Sequence, residues 1–128
     1  MANNYTNYKV NLSTTALTSI YTVPTATSAI IKSIRVSNKD ITNNCTVSLS
    51  LVDSGGVSYT LETDRTVKAK QSQELLSTGV VNAGFGSTDS SFAPATPIVV
   101  KESEIIKAQA QNGGDLSIII SVLEITNA

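Results

Sequence analysis

Few residues in this chain could do chemistry, and their types restrict what it could be. The 128 residues include no histidine. A Ser-His-Asp or Cys-His arrangement and an imidazole metal site are therefore excluded. Ten carboxylates remain, of which Glu62 with Asp64 and Glu102 with Glu104 are the nearest pairs of note. Both pairs fall at the ends of extended segments, where solvated surface charge is the expected reading rather than acid–base catalysis. Asp53-Ser-Gly-Gly56 lacks the regular carboxylate spacing of a calcium loop and fits a hairpin turn better. No glycine-rich phosphate loop follows a strand and opens a helix. Cys45 is the sole cysteine, so neither an internal disulfide nor a cysteine metal cluster can form. It heads an alternating segment on the apolar parity, where a thiol is expected buried and inert. No enzyme, cofactor or metal is implied.

The aromatic residues are the other candidates, as binding groups. Tyr5, Tyr8, Tyr21 and Tyr59 could stack on sugars, but three of them sit in strand patterns, and packing on a half-buried sheet explains those. Phe85 and Phe92 stand apart, isolated among glycine, serine and alanine. Such rings either tuck back onto the domain or anchor into another subunit.

The elements that must position these groups are strands. Serine and threonine make up 33 of the 128 residues, and no run longer than a turn is rich in helix formers; threonine with valine and isoleucine suits pleated, half-buried surfaces. Tyr8 to Leu12 alternates, and Ala16 to Val23 must end at Pro24, which cannot donate to a ladder. Ala29 to Ser37 places Ile30, Ile34 and Val36 inward. Lys32 shares that parity, so it must lie near an edge, beyond a bulge, or with its charge snorkelling. Cys45 to Leu51 is the cleanest one-sided strand, and Asp53-Ser-Gly-Gly56 folds it onto Val57 to Leu61. Arg65–Lys70 and Gln73–Leu76 are weaker extended segments, and Pro97–Lys101 resumes the sheet. The last strand, Leu116 to Ile125, is apolar on both faces and is expected to be central and covered on both sides. Asn112-Gly-Gly-Asp115 would join it to Ser103–Ala110 as a hairpin. Leu49, Leu51, Ile118, Ile120 and Val122 are the expected core.

Two segments do not fit a sheet. Residues 1–7 are polar and read as an N-terminal arm, and residues 77–97 as a long loop insertion with little regular structure, a length that marks function or disorder. The whole predicts a single all-β domain over 1–128, an antiparallel β-sandwich or jelly roll of about eight or nine strands. A formal charge of −1 gives no general attraction to nucleic acid or to an anionic membrane. The start of the chain has neither a basic region nor an apolar one of signal-peptide type, so synthesis in a reducing cytoplasm is expected.

Two stretches carry a family resemblance. Ile20-Tyr-Thr-Val-Pro24 followed by Ala29-Ile-Ile-Lys-Ser-Ile-Arg-Val-Ser-Asn38 resembles the opening of small virion structural proteins of tailed bacteriophages, of the type carried by many marine and cyanobacterial phages. Pro97-Ile-Val-Val-Lys-Glu-Ser-Glu-Ile-Ile-Lys-Ala-Gln-Ala110 and then Leu116 to Ile125 are similar to their closing pattern. The resemblance covers about two-thirds of the chain, departs from the pattern at 77–97, and rests on strand motifs, so no functional residue is carried over from it. It implies a particle component with a β-sandwich body, assembled in the host cytoplasm and located in the virion. Its partners would be other virion proteins, the major capsid protein or neck and tail proteins, and further copies of itself. Within that class a capsid decoration (cement) protein on the head shell leads, with a neck, tail or baseplate component beside it. A host-glycan-binding adhesin is the alternative from another class. The candidate subunit contacts are Asn3, Tyr5, Phe85 and Phe92.

Overall fold

The computed structural model describes residues 2–76, 80–82, 90–92 and 96–126. Among them every regular element is a strand: β1 (Ala2–Leu12), β2 (Thr18–Thr22), β3 (Thr27–Asn38), β4 (Cys45–Val52), β5 (Ser58–Val67), β6 (Ser72–Glu74), β7 (Val80–Asn82), β8 (Ser90–Phe92), β9 (Ile98–Val100), β10 (Ile105–Ala110) and β11 (Leu116–Thr126). Eleven strands replace the eight or nine expected, because one strand is split and a short ribbon is added.

One sheet runs β1-β11-β3-β6, with β9 also on β3, and the other runs β2-β10-β4-β5. All pairings are antiparallel. The chain alternates between the two sheets except at the β4–β5 hairpin, which makes the strand order that of a jelly roll. β6 pairs with Arg35–Ser37 and β9 with Ala29–Ile31 of the same strand. They are two pieces of one edge strand, interrupted by everything between them. The interruption is closed at its base, where Thr96 N–H donates to Leu76 O at 3.1 Å. Within it β7 pairs with β8, so the segment expected to hold little regular structure contains a two-stranded ribbon.

The core lies between the sheets. Leu116, Ile118, Ile120 and Val122 of β11 face Ile106 and Ala108 of β10, with Val47 and Leu49 of β4, all buried. Leu51, near the end of β4, is only half-buried. Burying such aliphatics supplies most of the stabilisation, about 1.5–3 kcal/mol for each full side chain. Lys32 is accommodated by a bulge: Ser121 pairs with Ser33 and Val122 with Ile31, leaving Lys32 as the extra residue. The bulge switches parity, so Ala29 and Ile31 point inward before it and Ile34 and Val36 after it. Ile30, expected inward, therefore points out.

Three further expectations are corrected. Residues 2–7 are not an arm but the first half of β1, paired with β11 from Ala2↔Thr126 to Leu12↔Leu116 without a break. Their polar side chains hid the strand, which is specified by its partner. β10 and β11 are not a hairpin: β10 is flanked by β2 and β4, and β11 by β1 and β3. The turn at 112–115 crosses from one sheet to the other, seated against the parallel crossing from β1 to β2, where Gly114 N–H donates to Leu12 O at 2.8 Å. β11 is central but not covered on both faces, since Ile119 is 44% exposed.

Candidate functional site

The residues singled out for chemistry are dispersed, and each serves the local fold. Glu62 Oε1 lies 3.0 Å from Arg65 Nη1, while Asp64 exchanges hydrogen bonds with Ser48 on β4. Glu102 Oε1 accepts the Ala26 N–H at 3.0 Å and Glu104 Oε1 the Lys101 N–H at 2.7 Å. Asp53 Oδ1 accepts from Gly55 N–H and Val57 N–H, both at 2.9 Å, and Gly56 takes φ +87°; this is the hairpin turn expected. Cys45 is buried. Among the described residues no group of three or more acidic or cysteine side chains could hold a metal ion.

Sequence reading missed two carboxylates. Glu74 closes the bulge of β3: its Oε1 accepts from the Ser33 hydroxyl, and Oε2 accepts Ile34 N–H at 2.7 Å and Leu76 N–H at 3.2 Å. It supplies acceptors where the ladder between β3 and its split neighbour is open. Glu124 lies on the inward parity of β11, two residues beyond Val122, and that parity was the signal available in the sequence. Its Oε2 accepts from Tyr21 OH at 2.7 Å and Tyr8 OH at 3.1 Å, and the two rings stand 4.7 Å apart. Burial, then the hydrogen bond to the Glu124 carboxylate, raises the Tyr21 phenol well above its ordinary value. A phenol held protonated is a clamp between β2 and β11, not a base. Tyr5 and Tyr59 lie elsewhere, so the four tyrosines form no common stacking platform.

What the strands bring together is a surface. On the outer face of the β1-β11-β3 sheet the registers align Tyr5 with Leu123, Leu123 with Ile30, and Ile30 with Val99. One apolar row thus crosses four strands, with Tyr5 75% and Val99 63% exposed. Asn3 sits beside it opposite Ile125, and Ile119 lies between Lys9 and Arg35. Cross-strand neighbours on one face are about 4.5–5.5 Å apart, so the row is continuous. Of the expected contact residues, Asn3 and Tyr5 share this face. Phe92 ends β8 opposite Val80, and Phe85 lies outside the described residues.

The outer face of the other sheet carries a groove of about 530 Å³ lined by Thr15, Thr46, Ser48, Asp64, Gln109 and Gln111. Hydroxyls and amides dominate it, with one carboxylate.

The fold was compared with those of solved structures. A chain from the Bacillus endospore appendages, which form a family of disulfide-linked pili, aligns with a TM-score of 0.53 at 9% identity, over 99% of this chain and 88% of that one. A pentameric capsid protein isolated from metagenomic phage sequences aligns at a TM-score of 0.44 and 15% identity. That match covers 97% of this chain and 63% of the capsid protein, so the chain spans less than two-thirds of its length. The capsid structure of the Helicobacter pylori bacteriophage KHP30 gives a TM-score of 0.43 at 10% identity, over 98% of this chain and 89% of that one. The likeness to the appendage protein is one of fold. No protein-family model and no curated protein matches the chain.

Proposed function

We propose that this chain is a non-enzymatic structural protein of a tailed-phage virion, and within that class a capsid decoration protein bound to the outside of the head shell. The observation that carries the reading is the apolar row Tyr5–Leu123–Ile30–Val99 on the outer face of a jelly roll in which Asp53, Asp64, Glu74, Glu102 and Glu104 are engaged in local hydrogen bonds. An apolar stripe across a solvent-facing sheet is what a docking surface looks like, and the fold recurs in viral capsid domains, by analogy of architecture. The sequence resemblance over two-thirds of the chain points the same way. Asn3 and Tyr5 are subunit contacts in this reading, and the ribbon-bearing segment 77–95 reaches a neighbour. The pilus subunit of similar fold is disulfide-linked. The one cysteine of this chain, Cys45, is buried.

The test is direct binding to particle shells that lack the protein. Purified chain should be retained on them, and Tyr5→Ser with Val99→Ser should abolish retention while the isolated variant melts as the wild type does. Retention on tails or necks instead would move the protein to the neck, tail or baseplate. A second reading, the glycan-binding adhesin, is favoured by the polar groove around Asp64. Binding on a glycan array that Asp64→Asn removes would establish it in place of the first.

A further inference from the structure

Each of the two sandwich sheets has two edges, and three of these four are protected against pairing with another chain. β5 carries register shifts at Val47/Leu49 and Leu49/Ser50 of its partner, a left-handed Asp64 at φ 47°, and the charges of Glu62, Asp64 and Arg65. β2 is five residues long and stops two residues before Pro24. The edge beside β3 is two three-residue pieces with the inserted segment leaving between them. Short strands, bulges, charges and prolines are the ordinary devices that keep edges from pairing. β1 lacks all of these but a single charge. It is eleven residues long, its register with β11 is unbroken, it contains neither proline nor glycine, and Lys9 is its one charge. Among the described residues no strand lies on its other side.

We infer that the free edge of β1 pairs antiparallel with β1 of a second copy of this chain, forming a two-fold dimer with a sheet continuous across the axis. The occupant follows from the comparison of edges. The other three edges of a second copy are blunted, so the edge able to complement β1 is β1 itself, and such pairing closes after two subunits. The register follows from geometry. Both sandwich bodies must lie on the same side of the merged sheet, so residues on the outer face must meet residues on the outer face. The register that meets this condition and uses the whole strand pairs Ala2 with the partner's Leu12 and puts Asn7 on the axis. It places Lys9 beside the partner's Tyr5, a cation against an exposed ring, on both sides of the axis. It also keeps the two Lys9 side chains apart, where direct opposition would be repulsive. This dimer is a property of the isolated chain and does not depend on membership of a particle.

The experiment uses the purified full chain in sedimentation velocity, with variants at Asn7, which is exposed. The wild type should sediment as a dimer. Asn7→Lys and Asn7→Glu each bring like charges together on the axis and should each run as monomers with unchanged melting, and mixing the two should restore a dimer. Asn7→Cys should form a disulfide-linked dimer on mild oxidation, because directly opposed residues have Cα atoms about 4.5–5.5 Å apart, within disulfide reach. Asn11→Cys, which faces the partner's Asn3, should not. Cys45 is buried and does not compete. A wild-type chain that remains monomeric at about 100 μM, where even a micromolar interface would be filled, overturns the inference. So does a dimer indifferent to Asn7→Lys, or equal cross-linking at positions 7 and 11.

Discussion

Asp40 illustrates how this protein uses its charged residues. Its carboxylate accepts the N–H groups of Thr42 at 2.8 Å and Asn43 at 3.0 Å, and these bonds, Thr42 first, lower its pKa from 3.8 to about 2. A carboxyl depressed in the folded state stabilises fully above its unfolded value, and that contribution is lost as pH falls through the folded one. The melting difference between wild type and Asp40→Asn should therefore be constant above about pH 5 and shrink between roughly pH 4 and 2. A difference that does not change with pH would mean the side chain matters by shape alone. At the centre of the core, Ile120 is 1% exposed. Ile120→Ala should cost roughly 2–5 kcal/mol in chemical denaturation, and a loss below about 1 kcal/mol would mean the core is not organised on β11. Both Asp53 and Cys45 were legible in the sequence because local turn chemistry and strand parity determine them. The Tyr8–Tyr21–Glu124 cluster was not, since Glu124 lies more than a hundred residues along the chain from either tyrosine and only the fold brings them together.

At the level of elements, alternation located most strands but could not assign neighbours. Asn112-Gly-Gly-Asp115 has the composition of a hairpin turn, yet the flanking strands go to different sheets. The local signal is the same for a hairpin and for a crossing; which one forms is decided by the long-range partners β2, β4, β1 and β3. Gly113 records the outcome, because a Cβ there would lie 2.7 Å from the Ser13 carbonyl oxygen and 3.3 Å from the Thr14 Cα. In a hairpin that position would face open solvent. Gly113→Ala should thus destabilise the protein by roughly 1–3 kcal/mol, the range for forcing an atom into a packed site. A neutral effect in thermal denaturation would contradict the close approach of the two crossings. β1 was read as part arm for a related reason. Polar residues on both faces erase the period-two signal, and only β11 beside it makes residues 2–7 a strand.

For the whole molecule, the all-β class and the two-sheet architecture followed from composition and strand spacing, while the split edge strand did not. β6 and β9 are three residues each, and although both fall in segments read as extended, their unity shows only in their shared pairing with β3. The excursion between them leaves and returns at one point, where Thr96 N–H donates to Leu76 O, and we propose that it is separable from the fold. Replacing residues 77–95 with a short Gly-Ser joint should leave melting within a few degrees of wild type, about the effect of a surface change, and should remove attachment to particles. Loss of cooperative unfolding in that variant would make the segment part of the core.

The central claim, that this chain is a repeated external component of a phage head, is tested most directly by its position and copy number in purified particles. A reconstruction combined with peptide counting against the major shell protein should place the jelly roll on the outer surface of the head in hundreds of copies. Absence of the chain from particles would contradict the account.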